Sequence, residues 1–497
     1  MSRIAPARKE SAYSSRNPAI SVRALTLRAA HCFLPGPLRS FGTKIITTIV
    51  PEERGVDRAR LRQHIVELLR LAAPVIVARA GLMVMSAVDI LIVARYSSDE
   101  LAYLGLGTLP ASMLVTAGIG MLLGTMIMTS HAVGAGRLEE CGPIWRRSLP
   151  YALLLGVLTA LASLAGEPFF RLTGQAPDVA EGGARVLAVM GAGLPAAMLY
   201  TASAFFLEGL KRPLPGMVVM ILANLLNVPL NIILVWGAWG IPAMGAEGSA
   251  WATTAVRWML ALSLMVYVWN LRDRRLLRIR EPVGHWWREA AQQRRLGYAA
   301  GASLALESSA FSILGLFAGM VGPLALGAYT ISLNLIALPF MTAVGLASAT
   351  GVRVGVAYGR RDRRDIVMAG WTGLGVTSAI LAVVACLFAL FPEQIGGLFT
   401  TDPQLLAVTV PLVTFSAFIL IADGGQVVMA NALRGQADTW VPTALHFFSY
   451  YGVMIPLGAV LALSAGRGVV GLFEGILIAS LVSISVLSLR FHLLSRT

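Results

Sequence analysis

Long apolar segments alternate with short polar segments along almost the whole chain after residue 70. Each apolar segment is about as long as an α-helix must be to cross a lipid bilayer, roughly 20 residues. The pattern therefore predicts an all-α polytopic membrane protein with twelve transmembrane helices. Their approximate ranges are 71–95, 104–132, 148–169, 184–207, 216–237, 247–270, 298–321, 325–352, 368–391, 405–431, 440–463 and 469–489.

The composition agrees with a chain that lies mostly in lipid. Of the 497 residues, 56% are hydrophobic and 13% are charged, whereas a soluble protein would carry about a quarter charged residues. The apolar spans leave no room for a sizeable soluble enzyme domain, so we do not expect an enzyme. No glycine is followed by lysine anywhere in the chain, which excludes a phosphate-binding loop and a nucleotide motor of its own.

Basic residues cluster in alternate loops, and this orients the predicted spans. With both termini in the cytoplasm, the inner loops hold most of the arginines, and the outer loops hold only four. The inner basic residues outside the long loop 271–297 are Arg137, Arg146, Arg147, Lys211, Arg212, Arg360, Arg361, Arg363, Arg364 and Arg434, and the outer ones are Arg95, Arg171, Arg185 and Arg467. The net charge of +14 therefore reflects orientation in a cell inner membrane and predicts no nucleic-acid partner.

The two halves of the chain are related to each other. Leu101-Ala102 and Gly136-Arg137 match Leu324-Ala325 and Gly359-Arg360 at the same separation of 223 residues. Six spans per half, in the same orientation, predict parallel repeats with a substrate site between them. We therefore expect an amino-terminal lobe over residues 61–270, a cytoplasmic linker over 271–297 and a carboxy-terminal lobe over 298–497.

Residues 1–60 form a separate region ahead of the first lobe. The first fifty residues are rich in Arg and Ser and carry one acid, Glu10. This composition predicts a basic, irregular cytoplasmic extension, although a transit peptide or sequence upstream of the true start has the same composition. Residues 51–70 place leucine and isoleucine on one side and arginine on the other, which is typical of an interfacial helix leading into the first span.

Three acids lie inside predicted spans: Asp89, Glu307 and Asp423. A charged group at bilayer depth costs roughly 2.5–3.5 kcal/mol, so such an acid is usually paired, faces a wet cavity or takes up a proton. These acids can therefore bind H⁺ or Na⁺ and couple an ion gradient to a conformational change. Asp89 could instead cap the outer end of its span. Glu208 precedes Lys211 and Arg212, which predicts a solvated salt bridge at an inner helix end.

The fifth and sixth spans add polar side chains at regular spacing. Asn227 and Asn231 are four residues apart and share one face of a helix. Their amide oxygens suit a hard cation, but asparagines at such positions also join neighbouring helices by hydrogen bonds. Thr253 and Thr254 can contribute hydroxyls. Cysteine and histidine are too scattered for a structural metal site, so we expect no metal, except Na⁺ at these same residues, and no cofactor.

Several of these stretches, in the same order, resemble the multidrug and toxic compound extrusion (MATE) family. They include VDILIVAR in the first span, VGAGR after the second, ANLLNVPLNIILVWG with GAEGSAWATT in the fifth and sixth, and ANALRGQADTW after the tenth. The resemblance covers roughly residues 65–490. It implies a V-shaped pair of six-helix lobes and antiport of organic cations or other amphiphiles against H⁺ or Na⁺.

The resemblance also assigns candidate sites in both lobes. Asp89, Asn227, Asn231 and Thr253 match an amino-lobe cation site of the family, although some members have Asp where Asn231 stands. Glu307 and Asp423 match a second cation site in the carboxy lobe of one bacterial branch. The long basic leader has no counterpart in the usual bacterial pattern. We expect a monomer in the bilayer with small amphiphilic or cationic substrates.

Two other functions remain open on the sequence alone. A lipid or lipid-linked oligosaccharide flippase of related two-lobe architecture would line its cavity with cations for phosphate, and Arg79 and Arg257 are mid-span candidates, with Arg353 near an inner end. An ion channel or a membrane scaffold is the third hypothesis, and the three intramembrane acids argue against it.

Overall fold

The computed structural model describes residues 52–496, with side chains from residue 60 onward. The chain divides into a unit Met1–Arg62, of which only the start of the first helix is described, and a compact unit Gln63–Thr497 that holds both lobes. Of the expected extension over residues 1–60, residues 1–51 lie outside the described residues. Within residues 52–496 the regular structure is entirely helical.

Between residues 52 and 496, ten helices are long and apolar enough to cross a membrane, and two bent helix pairs, each counted as one span, bring the number to twelve. In the first lobe they are α1 Glu52–Tyr96, α2 Ser98–Gly134, α3 Cys141–Ser163, α4 Pro177–Ala192 with Leu194–Gly209, α5 Leu214–Trp236 and α6 Gly245–Trp269. In the second lobe they are α7 Ala291–Val321, α8 Pro323–Gly359, α9 Arg363–Leu390, α10 Pro403–Gly435, α11 Trp440–Ser464 and α12 Gly468–Arg496. Short helices cover Gly166–Leu172, Trp286–Glu289 and Pro392–Gly397.

The predicted twelve spans and two six-helix lobes are confirmed, with differences at a few helix ends and breaks. The chain bends by 52° between α3 and the short helix Gly166–Leu172. It bends by 41° within α4, where Pro195 follows the break at Gly193 and cannot donate a backbone hydrogen bond. Helix α7 begins at Ala291, earlier than predicted, and the segment between Trp269 and Ala291 contains the short helix Trp286–Glu289.

Polar side chains fix several helix starts. The side chain of Ser97 accepts a hydrogen bond from the backbone N–H of Asp99 at the start of α2. Asp362 does the same for Asp365 at the start of α9, and Asp402 for Gln404 at the start of α10. Such caps satisfy backbone donors that would otherwise lack a partner. These acids therefore belong to helix ends and are separate from the three acids inside the spans.

Each lobe has its own apolar core. In the first lobe, Trp145 and Phe206 are fully buried in the largest cluster, with ring centroids 5.9 Å apart. In the second lobe, Tyr329 and Phe473 pack edge to face at 6.0 Å. The repeat motifs occupy corresponding places, because Leu101 and Leu324 lie in the first turns of α2 and α8.

The two lobes pack against each other at one end of the spans, which we call the linker end. It carries residues 135–140, 210–213, 270–290, 360–362 and 436–439, which connect successive helices on the side of the interlobe linker. Gly120 of α2 meets Gly301 of α7 so closely that a Cβ on Gly120 would lie 2.5 Å from the Cα of Gly301. Nearby, the Nε2 atom of His131 is hydrogen-bonded at 2.7 Å to the carbonyl of Gly435. The small residues let backbones of different lobes touch near the linker end.

Candidate functional site

Asp89 is the centre of a buried polar cluster in the first lobe. Its side chain is 5% exposed and lies about two turns before the end of α1 at Tyr96. Thr253 of α6 donates a hydrogen bond of 2.6 Å to Oδ2, and the amide of Asn231 donates one of 2.9 Å to Oδ1. Asp89 is therefore held inside the lobe, which argues against the alternative that it merely caps its helix.

The asparagine pair of α5 completes this cluster. Asn231 also donates to the carbonyl of Asn227 at 3.0 Å, and its own Oδ1 accepts a hydrogen bond of 2.6 Å from Ser249 of α6. The side chain of Asn227 lies near Asp89, yet its buried oxygen and nitrogen have no hydrogen-bond partner among the described residues. Carboxylate, amide and hydroxyl oxygens thus converge in one place, which is a set that suits a hard cation.

Arg257 stands beside this cluster. It follows Thr253 by four residues on α6, so the two side chains share one face of the helix. Its charge interacts electrostatically with Asp89. Its Nη1 atom is buried and has no hydrogen-bond partner among the described residues. Within the same part of the chain, Arg257 forms no salt bridge shorter than 4 Å. The guanidinium therefore acts on Asp89 through its charge and not through a hydrogen bond.

The second lobe contains a cavity of about 530 Å³ that extends from the middle of the spans toward the end opposite the linker. Glu307 of α7 and Asp423 of α10 both line it. Much of the remaining wall is apolar or aromatic, with Phe311, Tyr329 and Phe340 among the lining residues. Thr116 contributes to the wall from the first lobe. The structure therefore brings together the two acids that the sequence places 116 residues apart.

Asp423 belongs to a hydrogen-bond network at the inner side of this cavity. Its side chain is 5% exposed, and its Oδ1 accepts hydrogen bonds of 2.5 Å from Gln426 and 3.4 Å from Ser480. The amide nitrogen of Gln426 also lies 2.8 Å from the hydroxyl of Tyr450. Tyr450 lies in the π-helical stretch Phe448–Met454 of α11, a local distortion that is frequent at functional sites.

Arg434 contributes a buried positive charge to the second lobe. The sequence placed it in an inner loop, and this was wrong, because it lies in the last turn of α10 with only 5% of its surface exposed. Its Nη2 donates a hydrogen bond of 3.0 Å to Ser303, whose hydroxyl lies 2.5 Å from Nδ1 of His446. Arg434 also interacts electrostatically with Glu307. The local charge is therefore set by two acids and one guanidinium.

Glu208 has a different role from the predicted one. It is 8% exposed, its Oε1 lies 3.5 Å from Arg79, and its Oε2 accepts a hydrogen bond of 2.5 Å from Ser348 of the other lobe. The expected solvated salt bridge with Lys211 and Arg212 is not formed. Those two cations instead pair with Glu67 and Asp273. Glu208 therefore joins the lobes through a buried contact.

Among the described residues, no group of three or more His, Cys, Asp or Glu side chains is placed to hold a metal ion. The polar groups that the sequence did not single out are Ser249, Gln426, Tyr450, Ser480, Ser303 and His446. Each of them is hydrogen-bonded, directly or through another member of the group, to a predicted site residue or to Arg434. Hydropathy gives no signal for them, since single polar residues are common in long spans.

Two six-helix lobes that carry buried carboxylates define a multi-pass membrane transporter of the two-lobe class. The MatE family model matches residues 74–233 and 299–460, one match in each lobe. The chain therefore belongs to the MatE family, and the resemblance found in the sequence is confirmed.

Curated relatives of this chain are described as multidrug resistance proteins. The probable multidrug resistance protein NorM of Caulobacter vibrioides is 39% identical over 453 residues, which cover 90% of this chain and 95% of that protein. The multidrug resistance protein PmpM of Pseudomonas aeruginosa is 33% identical over 441 residues, covering 86% of this chain and 91% of that protein. These alignments span both lobes.

Solved structures share the fold at low sequence identity. The eukaryotic MATE transporter AtDTX14 superposes with a TM-score of 0.80 at 18% identity and covers 86% of this chain and 96% of that chain. An outward-facing MATE transporter of the MOP superfamily gives a TM-score of 0.77 at 20% identity, with 87% of this chain and 96% of that chain covered. The two-lobe fold thus extends well beyond the relatives with similar sequences.

Proposed function

We propose that the chain is a secondary active antiporter that exports organic cations, drugs or other amphiphiles in exchange for H⁺ or Na⁺. The observation that carries the proposal is the cavity of about 530 Å³ in which Glu307 and Asp423 meet an apolar, aromatic wall. Carboxylates attract a cationic group, while the aromatic wall accepts the lipophilic body of the same molecule. Relatives described as multidrug resistance proteins support this substrate class.

Ion binding at the carboxylates supplies the driving force. The candidate cation-coupling residues are Glu307 and Asp423 in the second lobe and Asp89, Asn227, Asn231 and Thr253 in the first. An ion that enters from outside neutralises a carboxylate and so weakens its attraction for a cationic substrate. Because ligands shift an equilibrium by binding one state better than another, ion binding then favours the state that releases the substrate.

The arrangement of the lobes fits one stage of this cycle. With both termini in the cytoplasm, as the basic loops indicate, the linker end is the cytoplasmic end. The lobe contacts at Gly120 and His131 then close the path to the cytoplasm, and the cavity lies toward the outside. We place the protein in a bacterial inner membrane as a monomer, with the bilayer as its surroundings and no cofactor besides the coupling ion.

A lipid flippase is not favoured, because the mid-span arginines already have acidic neighbours. Arg79 pairs with Glu208, and the charge of Arg257 acts on Asp89. Neither is available as a free cation for a phosphate group. The cavity of the second lobe presents carboxylates, which would repel a phosphate.

Transport by purified protein in proteoliposomes tests the proposal. A pH gradient and a Na⁺ gradient are imposed separately, and the uptake of a fluorescent lipophilic cation is followed. The proposal predicts concentrative uptake with one of the two gradients and its loss when an ionophore collapses that gradient. Folded protein that gives no uptake in either gradient, over several cationic dyes, would contradict it.

A further inference from the structure

The buried charges of the two lobes do not balance in the same way. In the first lobe, the carboxylate of Asp89 has one arginine beside it, Arg257. In the second lobe, Glu307 and Asp423 interact with each other, and one arginine, Arg434, interacts with Glu307. With all of these groups ionised, the first cluster sums to zero and the second to minus one. A net charge at bilayer depth is disfavoured, so only the second cluster, whose two acids line the cavity, requires a cation from solution.

Arg257 is placed to act on Asp89 and on little else. It lies one helical turn from Thr253, which donates directly to Asp89, so α6 fixes the positions of both side chains. Its buried Nη1 has no hydrogen-bond partner among the described residues, and Asp89 is the charged group that acts on it there. Glu100, another acid of the same lobe, is already used, because it accepts a hydrogen bond of 2.7 Å from the backbone N–H of Ala246.

We propose that Arg257 is a built-in counter-cation for Asp89, so that the first-lobe cluster binds no coupling ion and the second-lobe acids carry the coupling. Arg257 is thus a positioning residue, which fixes where the exchanged ion binds. This inference rests on the proposed antiport function and narrows it to one lobe. The tyrosine and histidine of the second cluster, Tyr450 and His446, do not change the count when they are neutral.

Removing the arginine charge should create a cation site that the unmodified protein lacks. In Arg257→Gln, Asp89 would need a new positive partner and would take up either Na⁺ or a proton. Binding of radioactive Na⁺ detects the first, and the infrared carbonyl band of a protonated carboxyl detects the second. We expect Arg257→Gln to show either additional Na⁺ binding or an additional carboxyl band. The double variant Asp89→Asn/Arg257→Gln should show neither.

Two variants separate the charge of Arg257 from other effects of substitution. Arg257→Lys keeps the charge and should behave as the unmodified protein does. Arg171→Gln makes the same chemical change at an exposed ion pair with Glu167 of the first lobe and should add no signal, because water solvates the freed carboxylate.

Failure of the Arg257 inference can be distinguished from failure of the proposed antiport function. Absence of gradient-driven uptake by the unmodified protein would count against antiport itself. The inference about Arg257 would be overturned if folded Arg257→Gln gained neither signal. It would also be overturned if the unmodified protein already bound a cation that Asp89→Asn abolished, and this second comparison needs no substitution at Arg257.

Discussion

The hydroxyl of Ser348 donates a hydrogen bond of 2.5 Å to Oε2 of Glu208, and this bond joins the second lobe to the first. The other carboxylate oxygen of Glu208 lies 3.5 Å from Arg79, on the first helix of the first lobe. A hydrogen bond to a charged acceptor is worth more than a neutral one, about 1.5–3 kcal/mol. If the lobes separate near the linker end during transport, this buried contact must break.

Ser348→Ala should therefore shift the lobes away from the arrangement described above. The loss of about 1.5–3 kcal/mol would change the population ratio roughly 10- to 100-fold. Spin labels at Leu172 and Leu398, which are 87% and 79% exposed at the opposite end of the two lobes, would report the shift as a changed distance distribution by electron–electron resonance. The labelled background would first have its three cysteines replaced.

The matched control for this variant is Ser312→Ala on α7. The hydroxyl of Ser312 donates only to the carbonyl of Ser308 on the same helix, at 3.0 Å, so it joins no other element. The same distance distribution in Ser348→Ala, Ser312→Ala and the unmodified protein would show that the Glu208 contact does not hold the lobes together.

Gly120→Ala should prevent the close approach of α2 and α7. Its Cβ would lie 2.5 Å from Cα of Gly301, and backbone atoms cannot move aside as a flexible side chain can. Overpacking of this kind typically destabilises a protein by about 1–3 kcal/mol. Here it destabilises only the state in which the lobes touch. We expect a changed distance between the same two labels and slower dye uptake.

Gly105→Ala provides the comparison on the same helix, because a Cβ there meets no atom within 4 Å. It should leave both the label distance and the uptake rate unchanged. Equal behaviour of the two alanine variants would mean that the contact at Gly301 is not required for transport.

Thr253→Val should destabilise the first lobe more than Thr254→Val does. The hydroxyl of Thr253 donates to a carboxylate, Asp89, at 2.6 Å, whereas that of Thr254 donates to the backbone carbonyl of Val189 at 3.0 Å. The expected losses are about 1.5–3 kcal/mol for the charged acceptor and about 0.5–1.5 kcal/mol for the neutral one. Thermal unfolding in detergent would rank the two variants, and the reverse order would argue that Asp89 does not depend on Thr253.

Tyr450→Phe should lower the apparent affinity for the coupling ion. Tyr450 lies 2.8 Å from the amide of Gln426, which in turn donates to Asp423, so loss of the hydroxyl frees Gln426 to move. We expect the ion concentration for half-maximal uptake to change by roughly tenfold or less, as for one hydrogen bond. Tyr451→Phe is the control, because that hydroxyl contacts Ser309 at 2.7 Å and does not contact Asp423. Equal effects of both variants would contradict the network.

Hydropathy predicted the spans well because lipid imposes one simple requirement on each of them. A span needs about 20 apolar residues, whatever its neighbours are. The bend at Gly193 was missed, since Leu194 and the residues after it continue the apolar run across the break. The start of α7 was placed too late, at residue 298, because Arg294 and Arg295 made its first turn look like part of the linker.

The candidate site was predictable only where a residue type is unusual in lipid. Asp89, Glu307 and Asp423 were conspicuous as acids within apolar runs. The partner of Glu208 was not predictable, because Arg79 lies 129 residues away and the nearby Lys211 and Arg212 were equally plausible from charge alone. Gln426 and Tyr450 give no signal in the sequence, since their role depends on how α10 and α11 face each other.

In the proposed antiport, Glu307 and Asp423 are the residues that couple the ion to the substrate. Concentrative uptake of a fluorescent lipophilic cation would be measured in proteoliposomes for the unmodified protein, Glu307→Gln and Asp423→Asn. Glu474→Gln would serve as the control, because Glu474 pairs with Arg467 at 2.7 Å at the end opposite the linker. We predict that gradient-driven accumulation is lost in the two acid variants and kept in Glu474→Gln. Accumulation that persists in both folded acid variants would contradict the account.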